Sequence, residues 1–426
     1  MSKVAQQYLD IDPWLIREDG FHPERSRVSE SIFSLANEFM GVRGYFEEGY
    51  GGERMVGSFF NGVFEEEDLS QMPAFSFRGM IERTHGIANA VDWLHTRISA
   101  GDETLDLARS SFTDFERVTD MRTGLMTRSF VWQTQRGAGL RLTFSRFLSI
   151  SDGGLGFQRI EIESLSGACE LQVRLGLDFD IPQYTQRMAR QWECLCRKVT
   201  DQAPAILGRV KHSGHCVAST AGFSGLDGMD VKQIEEENYA GVELTFTLEE
   251  GENRRLDRTV LNHVRRDPPV DIDAMWSAVQ EQAAAKALQT FDDAFAENTA
   301  RWQAIWDDLD IEIDGDPDNQ QGIRYCLFQL YQSYHGVDPT LNVTAKGLTS
   351  EYYYGWTWWD TETYCLPFYM FNNPTAARSL LQYRHITLAG ALQRASQMGC
   401  KGARYPMGTI DGTEAVAVWQ HGDLEI

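Results

Sequence analysis

Apolar and polar residues alternate in many short segments between about Phe59 and Val264. Residues 140–144, 159–163 and 242–247 are examples, and charged residues or glycines separate such segments. Alternation with a period of two is typical of strands that bury one face. Repeated short strands with glycine-containing turns predict a large antiparallel β-sandwich, which we place at residues 1–268.

The pattern changes after Asp267-Pro268-Pro269. Residues 272–309 contain no proline or glycine and carry apolar residues at helical spacing, so we predict a helical linker over residues 269–316. A helical domain is predicted for residues 317–426. In it, Asn373 is a candidate N-cap before Pro374, and Gly399 is a candidate helix stop. The chain is therefore predicted to be a multidomain β + α protein.

A dense aromatic run in the helical part stands beside carboxylates. Residues 352–359 read Tyr-Tyr-Tyr-Gly-Trp-Thr-Trp-Trp, and Asp360-Thr361-Glu362 follow directly. The flat faces of sugars stack on aromatic rings, while sugar hydroxyls need fixed acceptors such as ionised carboxylates. The run thus predicts a sugar site that includes Trp358, Trp359, Asp360 and Glu362. Alternatively, Asp360 is only a helix N-cap, and at least one of Trp356 and Trp358 serves core packing.

A second carboxylate motif is Asp411-Gly412-Thr413-Glu414. Glu414 precedes the apolar residues 415–419, and apolar surroundings raise the pKa of a carboxyl group, so that it can donate a proton near neutral pH. Cleavage of a glycosidic bond needs such an acid. The alternative is a glutamate at a helix N-terminus, favoured by the helix dipole, and from the residues alone it is the more common case.

Two cations precede Glu414 in the sequence. Lys401 and Arg404 could hold a sugar hydroxyl or a phosphate, although solvated surface charges are more frequent. His385 and His421 have no ligand pattern near them, so no metal is predicted.

Composition narrows the class of protein. Lys and Arg number 39 against 62 Asp and Glu, and the resulting net charge of -23 disfavours nucleic acid and anionic membranes as partners. The first residues lack the pattern of a signal peptide, and no window is apolar enough for a membrane span. The seven cysteines are odd in number and scattered. We therefore expect a cytoplasmic protein with reduced thiols.

Three blocks of the chain are similar to the disaccharide phosphorylases of glycoside hydrolase family 65, the group that acts on maltose, trehalose, kojibiose and nigerose. They are Arg-Val-Ser-Glu-Ser-Ile-Phe-Ser-Leu-Ala-Asn at 27–37 with Met-Gly-Val-Arg-Gly at 40–44; Ala-Lys-Gly-Leu-Thr at 345–349 with Trp-Trp-Asp-Thr-Glu at 358–362 and Leu-Pro-Phe at 366–368; and Lys-Gly-Ala-Arg-Tyr-Pro at 401–406 with Gly-Thr-Glu at 412–414. Their order and spacing span the whole chain.

The resemblance implies an N-terminal β-sandwich, a helical linker and an (α/α)6 barrel. It also implies phosphorolysis of an α-glucosidic bond with inversion, giving β-glucose 1-phosphate and a free sugar. Glu414 matches the general acid of the family, and Trp359 with Asp360 match the residues that hold the non-reducing glucose. Inorganic phosphate is the co-substrate and nucleophile, so no cofactor is required. A homodimer is a further expectation.

Members of the family also continue well past the position that corresponds to residue 426 of this chain. We therefore expect this chain to contain only the first part of the barrel, and to lack phosphorylase activity by itself. Two alternatives stay open: an inverting α-glucoside hydrolase of the same family, and a non-catalytic sugar-binding remnant.

Overall fold

A computed structural model describes residues 8–69, 80–185, 188–286 and 289–416. The strands in these ranges are β1 Leu9–Ile11, β2 Leu15–Asp19, β3 Leu35–Ala36, β4 Met40–Val42, β5 Ser58–Asp68, β6 Arg83–Asn89, β7 Thr96–Ala100, β8 Glu103–Thr104, β9 Ser111–Asp120, β10 Leu125–Gln133, β11 Gly139–Leu148, β12 Leu155–Ser166, β13 Cys169–Asp178, β14 Trp192–Thr200, β15 Ala203–Val210, β16 Cys216–Ser224, β17 Asp230–Glu236, β18 Tyr239–Leu248, β19 Asn253–Arg265, β20 Ala345–Leu348, β21 Thr357–Trp358 and β22 Gly408–Thr409. The helices are α1 Ser26–Ile32, α2 Ile272–Lys286, α3 Phe291–Leu309, α4 Pro317–Ser333, α5 Leu366–Asn372, α6 Pro374–Ile386 and α7 Leu388–Met398.

Three antiparallel sheets contain the strands up to Arg265. The order in the largest is β1-β2-β9-β10-β11-β12-β19-β16-β15-β14; the others are β17-β18-β13-β7-β8 and β3-β4-β5-β6. The predicted alternation is visible in β12, where Ile160 and Ile162 are buried while Glu161 and Glu163 are partly exposed. The sheet-rich N-terminal region is thus confirmed, although its strands begin at Leu9, well before the segment in which alternation is evident.

The two larger sheets share one hydrophobic core. Leu142 of β11 and Val173 of β13 both belong to it. The interior also holds buried charges: Arg128 binds Glu47 and Arg146 binds the same carboxylate, each at 2.8 Å. Burying charges requires such pairing, because an isolated ion would lose its hydration without compensation.

The two helices after the sheets pack back onto them. Trp302 and Trp306 of α3 are buried in the main core, and the indole of Trp306 donates to the carbonyl of Met121 at 2.7 Å. Met275 and Val279 of α2 contact β15 and β16 in a separate cluster. The helical character predicted for residues 272–309 is therefore present, in the two helices α2 and α3.

Local sequence signals mark the later helices. The Asn373 side chain accepts a hydrogen bond from the backbone of Ala376, and Pro374 begins α6. Gly399 ends α7 in the left-handed region, with φ of 75°. Helices α5, α6 and α7 follow one another closely, as the sequence predicts for a helical region.

Glu38 joins the sheet region to the segment after α4. Its buried carboxylate accepts hydrogen bonds from four consecutive backbone N–H groups, those of residues 335–338, at 2.7, 2.7, 2.9 and 3.2 Å. Hydrogen bonds from backbone donors to a carboxylate are shorter and stronger than bonds between neutral groups. This contact fixes the start of the C-terminal part relative to β3 and β4.

In the described ranges, none of the helices has the length and apolar character needed to cross a membrane. All seven cysteines lie in these ranges and are free thiols.

Candidate active site

A short antiparallel ladder brings the two carboxylate motifs together. In it, β21 pairs with β22, with Thr357 opposite Thr409 and Trp358 opposite Gly408. A side chain at position 408 would not fit, because its Cβ would lie 2.7 Å from Val416. The aromatic run and the loop that carries Glu414 are therefore neighbours, although about fifty residues separate them in the sequence.

Trp356 belongs to the core beneath this ladder. It is 7% exposed, and its indole donates to the carbonyl of His85 in β6 at 2.6 Å. It packs with Ala415 and Val416 from the Glu414 loop. The core-packing alternative is thus confirmed for Trp356, while Trp358 is only half-buried.

Asp360 lies at the wall of a cavity of about 750 Å³. Its carboxylate is exposed at the entrance to a π-helical turn over Thr361–Cys365 and makes no capping hydrogen bond there. The cavity is also lined by Tyr353, Trp358 and Lys346, and the Lys346 ammonium lies 5.4 Å from the Tyr353 ring centroid. A carboxylate, an ammonium and aromatic rings around one cavity are groups that suit a polyhydroxylated ring.

Trp359 differs from Trp358 in its surroundings. It is 44% exposed, and among the described residues it does not line the Asp360 cavity. Its exposed indole is free to contact a ligand from outside this cavity.

Glu362 is directed towards another element. Both of its carboxylate oxygens accept hydrogen bonds from the guanidinium of Arg384 in α6, at 2.7 and 2.8 Å. Arg384 also contacts the carbonyl of Trp358 at 3.4 Å. The turn therefore separates Asp360, which faces the cavity, from Glu362, which anchors the turn to α6.

Glu414 is buried in a loop. Its carboxylate accepts hydrogen bonds from the backbone N–H groups of Met407 and Val416, each at 3.2 Å. Burial raises the pKa of Glu414 above its ordinary value, while these bonds and the positive charges of Arg394 and Arg404 oppose that rise. The described backbone around Glu414, residues 411–416, is not helical, and the helix N-terminus interpretation stays a prediction. Residues 417–419, which the sequence places in its apolar surroundings, and His421 lie outside the described ranges.

The cations near Glu414 differ in position. Lys401 is exposed in a turn, whereas Arg404 is half-buried and directs one guanidinium nitrogen at the sulfur of Met398 at 2.6 Å. Arg394 of α7, which the sequence analysis does not single out, is buried and acts electrostatically on Glu414. Its position between the apolar residues Ala391 and Ala395 is the signal that points it inward.

Strand β6 supports the Glu414 loop from the sheet side. Nε2 of His85 accepts the backbone N–H of Ile410 at 3.0 Å, and Thr84 donates its hydroxyl to the carbonyl of Ala415 at 2.6 Å. Burial lowers the pKa of His85, which agrees with a neutral ring that accepts at Nε2. Sequence reasoning misses both residues, since nothing local in β6 indicates a partner more than 300 positions away.

Among the described residues, no group of three or more His, Cys, Asp or Glu side chains is arranged to hold a metal ion. The candidate site thus has two parts: an exposed carboxylate and aromatic rings at a cavity, and the buried carboxyl group of Glu414, which does not line that cavity.

Comparison with known proteins places the chain in a family. Residues 16–305 match the N-terminal domain of glycosyl hydrolase family 65, and residues 324–424 match its central catalytic domain. Maltose phosphorylase of Bacillus subtilis (strain 168) is 32% identical over 430 residues, which cover 98% of this chain and 55% of that protein. Alpha,alpha-trehalose phosphorylase of Thermoanaerobacter brockii is 27% identical, with 100% of this chain and 56% of that protein covered.

A solved structure agrees with these matches. The structure named "Putative kojibiose phosphorylase from human microbiome" has a TM-score of 0.92 and 34% identity, and the alignment covers 98% of this chain and 54% of that one. The chain spans about half the length of the relatives that it matches. By both domain matches and by its relatives, the chain belongs to glycosyl hydrolase family 65.

Proposed function

We propose that this protein catalyses inverting phosphorolysis of an α-glucosidic disaccharide, releasing β-glucose 1-phosphate and a free sugar. The observation that supports this proposal most is the position of Glu414, which is buried beside the β21–β22 ladder that contains Trp358. The names of its relatives, phosphorylases of maltose, trehalose and kojibiose, support disaccharides as the substrate class.

In this proposal Glu414 is the general acid. Its raised pKa keeps a proton on the carboxyl group at a higher pH than an exposed glutamate would, so that it can protonate the departing glycosidic oxygen. Inorganic phosphate is the nucleophile and attacks the anomeric carbon from the opposite face. Because phosphate itself attacks, the chemistry requires one carboxyl group rather than the two of an inverting hydrolase.

The non-reducing glucose is held by Asp360 and by the aromatic residues Trp358 and Trp359. Asp360 is suited to this role because its carboxylate is exposed at the cavity and makes no capping bond. Lys401 and Arg404 are proposed as supporting cations, and Lys346 joins them because it lines the same cavity as Asp360. Glu362 acts on this site through the turn that it anchors.

The helices α4 to α7 are proposed to be the first part of an (α/α)6 barrel. Large apolar side chains on α5 and α6 support this, since Met370, Phe371, Leu381 and Ile386 are each at least half exposed. Such side chains are normally covered by further helices in a barrel or bundle. A cytoplasmic location suits the reaction, because inorganic phosphate is available there.

The test is an assay of the complete protein with maltose, trehalose and kojibiose, each with and without inorganic phosphate. Phosphate-dependent formation of glucose 1-phosphate is the expected result. Phosphate-independent release of glucose would instead indicate an inverting hydrolase of the same family. Anomeric analysis of the product distinguishes inversion from retention.

A binding experiment on the 426-residue chain tests the sugar site separately. Glucose binding that is abolished by Asp360→Ala, in a variant with unchanged far-UV circular dichroism, is the expected result. If glucose binds but the complete protein shows no turnover, the protein is a sugar-binding module. If the wild-type chain does not bind glucose at all, the assignment of Asp360 is contradicted.

A further inference from the structure

A second cavity, of about 430 Å³, shares the wall residue Tyr353 with the Asp360 cavity. Arg27, Arg54 and Tyr184 line it from the sheet region, and Glu351 and Tyr352 line it from the segment before β21. Its volume falls within the range of roughly 300–1,000 Å³ that is usual for small-molecule sites. Neither Asp360 nor Glu414 lines it.

The wall of this cavity is rich in hydrogen-bond donors. The guanidinium of Arg27 donates to the Tyr352 hydroxyl at 2.9 Å, and the backbone of Val56 donates to the Tyr184 hydroxyl at 3.2 Å. Each phenol oxygen is the acceptor in these bonds, so its own hydrogen can be donated to a ligand. The Arg54 guanidinium donates one hydrogen bond to the carbonyl of Tyr50, and its other N–H groups can donate to a ligand.

Glu351 is the acidic residue of the wall. It is 1% exposed, and one of its oxygens accepts hydrogen bonds from the backbone and the hydroxyl of Thr185, at 2.8 and 3.0 Å. Burial raises the pKa of this carboxyl group, while its hydrogen bonds and the charge of Arg43 oppose that rise. Two exposed guanidinium groups and two phenol donors therefore outweigh one buried carboxyl group, and such a wall favours an oxyanion over a neutral ligand.

The backbone presents the tyrosines in an unusual way. Tyr353 and Tyr354 both have left-handed φ values, 57° and 55°, and Gly355 follows with 67°. Consecutive bulky residues in this region are strained and persist where the surrounding structure fixes them. As a result, Tyr352, Tyr353 and Tyr354 all line the cavity with 50%, 50% and 38% of their surface exposed.

We propose that this cavity binds a tetrahedral oxyanion of the phosphate class, either as free phosphate or as the phosphate group of an ester. Arg27 and Arg54 neutralise the anion, and the hydroxyls of Tyr184 and Tyr352 donate to its oxygens. The exposed tyrosine rings provide a surface on which the organic part of an ester can lie. Neither Asp360 nor Glu414 lines this cavity, and the proposal does not depend on the proposed reaction.

The experiment is isothermal titration calorimetry of the full chain with inorganic phosphate and, separately, with glucose 1-phosphate. Loss of charge-assisted hydrogen bonds in Arg54→Gln should weaken binding by about tenfold or more. Arg27→Gln should do the same. Arg136→Gln is the matched control, because Arg136 is also an exposed arginine and does not line the cavity; its guanidinium lies 3.7 Å from Asp102.

The ligands identify the source of the anion. Binding of both ligands means that free phosphate is sufficient, whereas binding of glucose 1-phosphate alone means that the organic part is required. The proposal is overturned if neither ligand binds, or if Arg54→Gln and Arg27→Gln both bind as the wild type does. It is equally overturned if Asp360→Ala, rather than Arg54→Gln, abolishes binding. Circular dichroism of each variant establishes that the fold is retained.

Discussion

The guanidinium of Arg384 holds both carboxylate oxygens of Glu362, at 2.7 and 2.8 Å, and thereby ties the π-helical turn after Asp360 to helix α6. The pair is largely shielded from solvent, with 12% of the Arg384 side chain and 28% of the Glu362 side chain exposed. A paired arrangement of this kind orients both partners. The role that fits Glu362 is therefore to position Asp360, instead of binding the sugar directly.

Replacement of Arg384 should loosen this turn. We expect Arg384→Met to lower the free energy of unfolding by about 1–3 kcal/mol, because Glu362 loses its charged partner in a shielded place. Glucose affinity should fall as well, since Asp360 is no longer held in position. Urea unfolding and calorimetric glucose titration measure the two effects.

The matched control is Arg122→Met. Arg122 also binds one carboxylate through two nitrogens, that of Asp120 at 2.9 and 2.8 Å, but half of its side chain is exposed. Exposed pairs contribute about 0–1 kcal/mol, so little change is expected there. Unchanged glucose affinity in Arg384→Met would show that the pair does not position Asp360.

The raised pKa of Glu414 should appear in the pH dependence of stability. The folded protein retains a proton on Glu414 at pH values where the unfolded chain, with a pKa of about 4.3, has lost it. Folding stability from this group is therefore lost as the pH rises from about 4.3 towards the folded-state pKa. The glutamine of Glu414→Gln does not titrate. As the pH rises through this interval, the free energy of unfolding of the wild type should therefore fall relative to that of the variant.

The measurement is urea unfolding of both proteins at a series of pH values. A difference that stays constant with pH would contradict a raised pKa. In the complete protein, Glu414→Gln should also abolish cleavage while the fold is retained, and retained activity would refute the role of general acid.

His85 should make the Glu414 loop sensitive to acid. Its folded-state pKa lies below the value of about 6.5 in the unfolded chain, so protonation below that pH favours unfolding. A proton on Nε2 would also remove the acceptor for the Ile410 N–H group. Asp411, whose carboxylate lies 3.8 Å from Nε2, opposes the lowered pKa without reversing it.

The test compares wild type with His85→Gln, whose side-chain oxygen can still accept from Ile410 and which does not titrate. Between pH about 7.5 and about 5.5, the stability difference should shift in favour of the variant, by at most about 1.4 kcal/mol per pH unit. A shift in the opposite direction would mean that the ring is protonated in the folded protein.

Residues with local signals were predictable, and residues with distant partners were not. The cap at Asn373 and the left-handed Gly399 depend on a few neighbouring positions, and both are found as expected. The burial of Trp356 and the raised pKa of Glu414 also follow from their surroundings. In contrast, the bond from Ile410 to His85 joins positions 325 apart, and no periodicity contains that information.

The turn at Asp360 shows where a local pattern is insufficient. Two carboxylates two residues apart point the same way in a strand and about 200° apart in a helix, and the sequence does not decide between these. The structure has a π-helical turn, which separates Asp360 from Glu362. The choice depends on Arg384, which lies 22 positions later and supplies the partner for only one of them.

Glu38 should carry much of the connection between the sheet region and the helices. Glu38→Gln keeps the shape of the side chain but replaces one acceptor oxygen by a donor, which then faces the backbone N–H groups of residues 335–338. Because bonds to a charged group contribute about 1.5–3 kcal/mol and this group is buried, we expect a loss of at least about 2 kcal/mol in urea unfolding. Glu250→Gln, at an exposed carboxylate with a single backbone donor from Gly167, is the control and should change stability little. Equal stability of Glu38→Gln and wild type would mean that other contacts hold this junction.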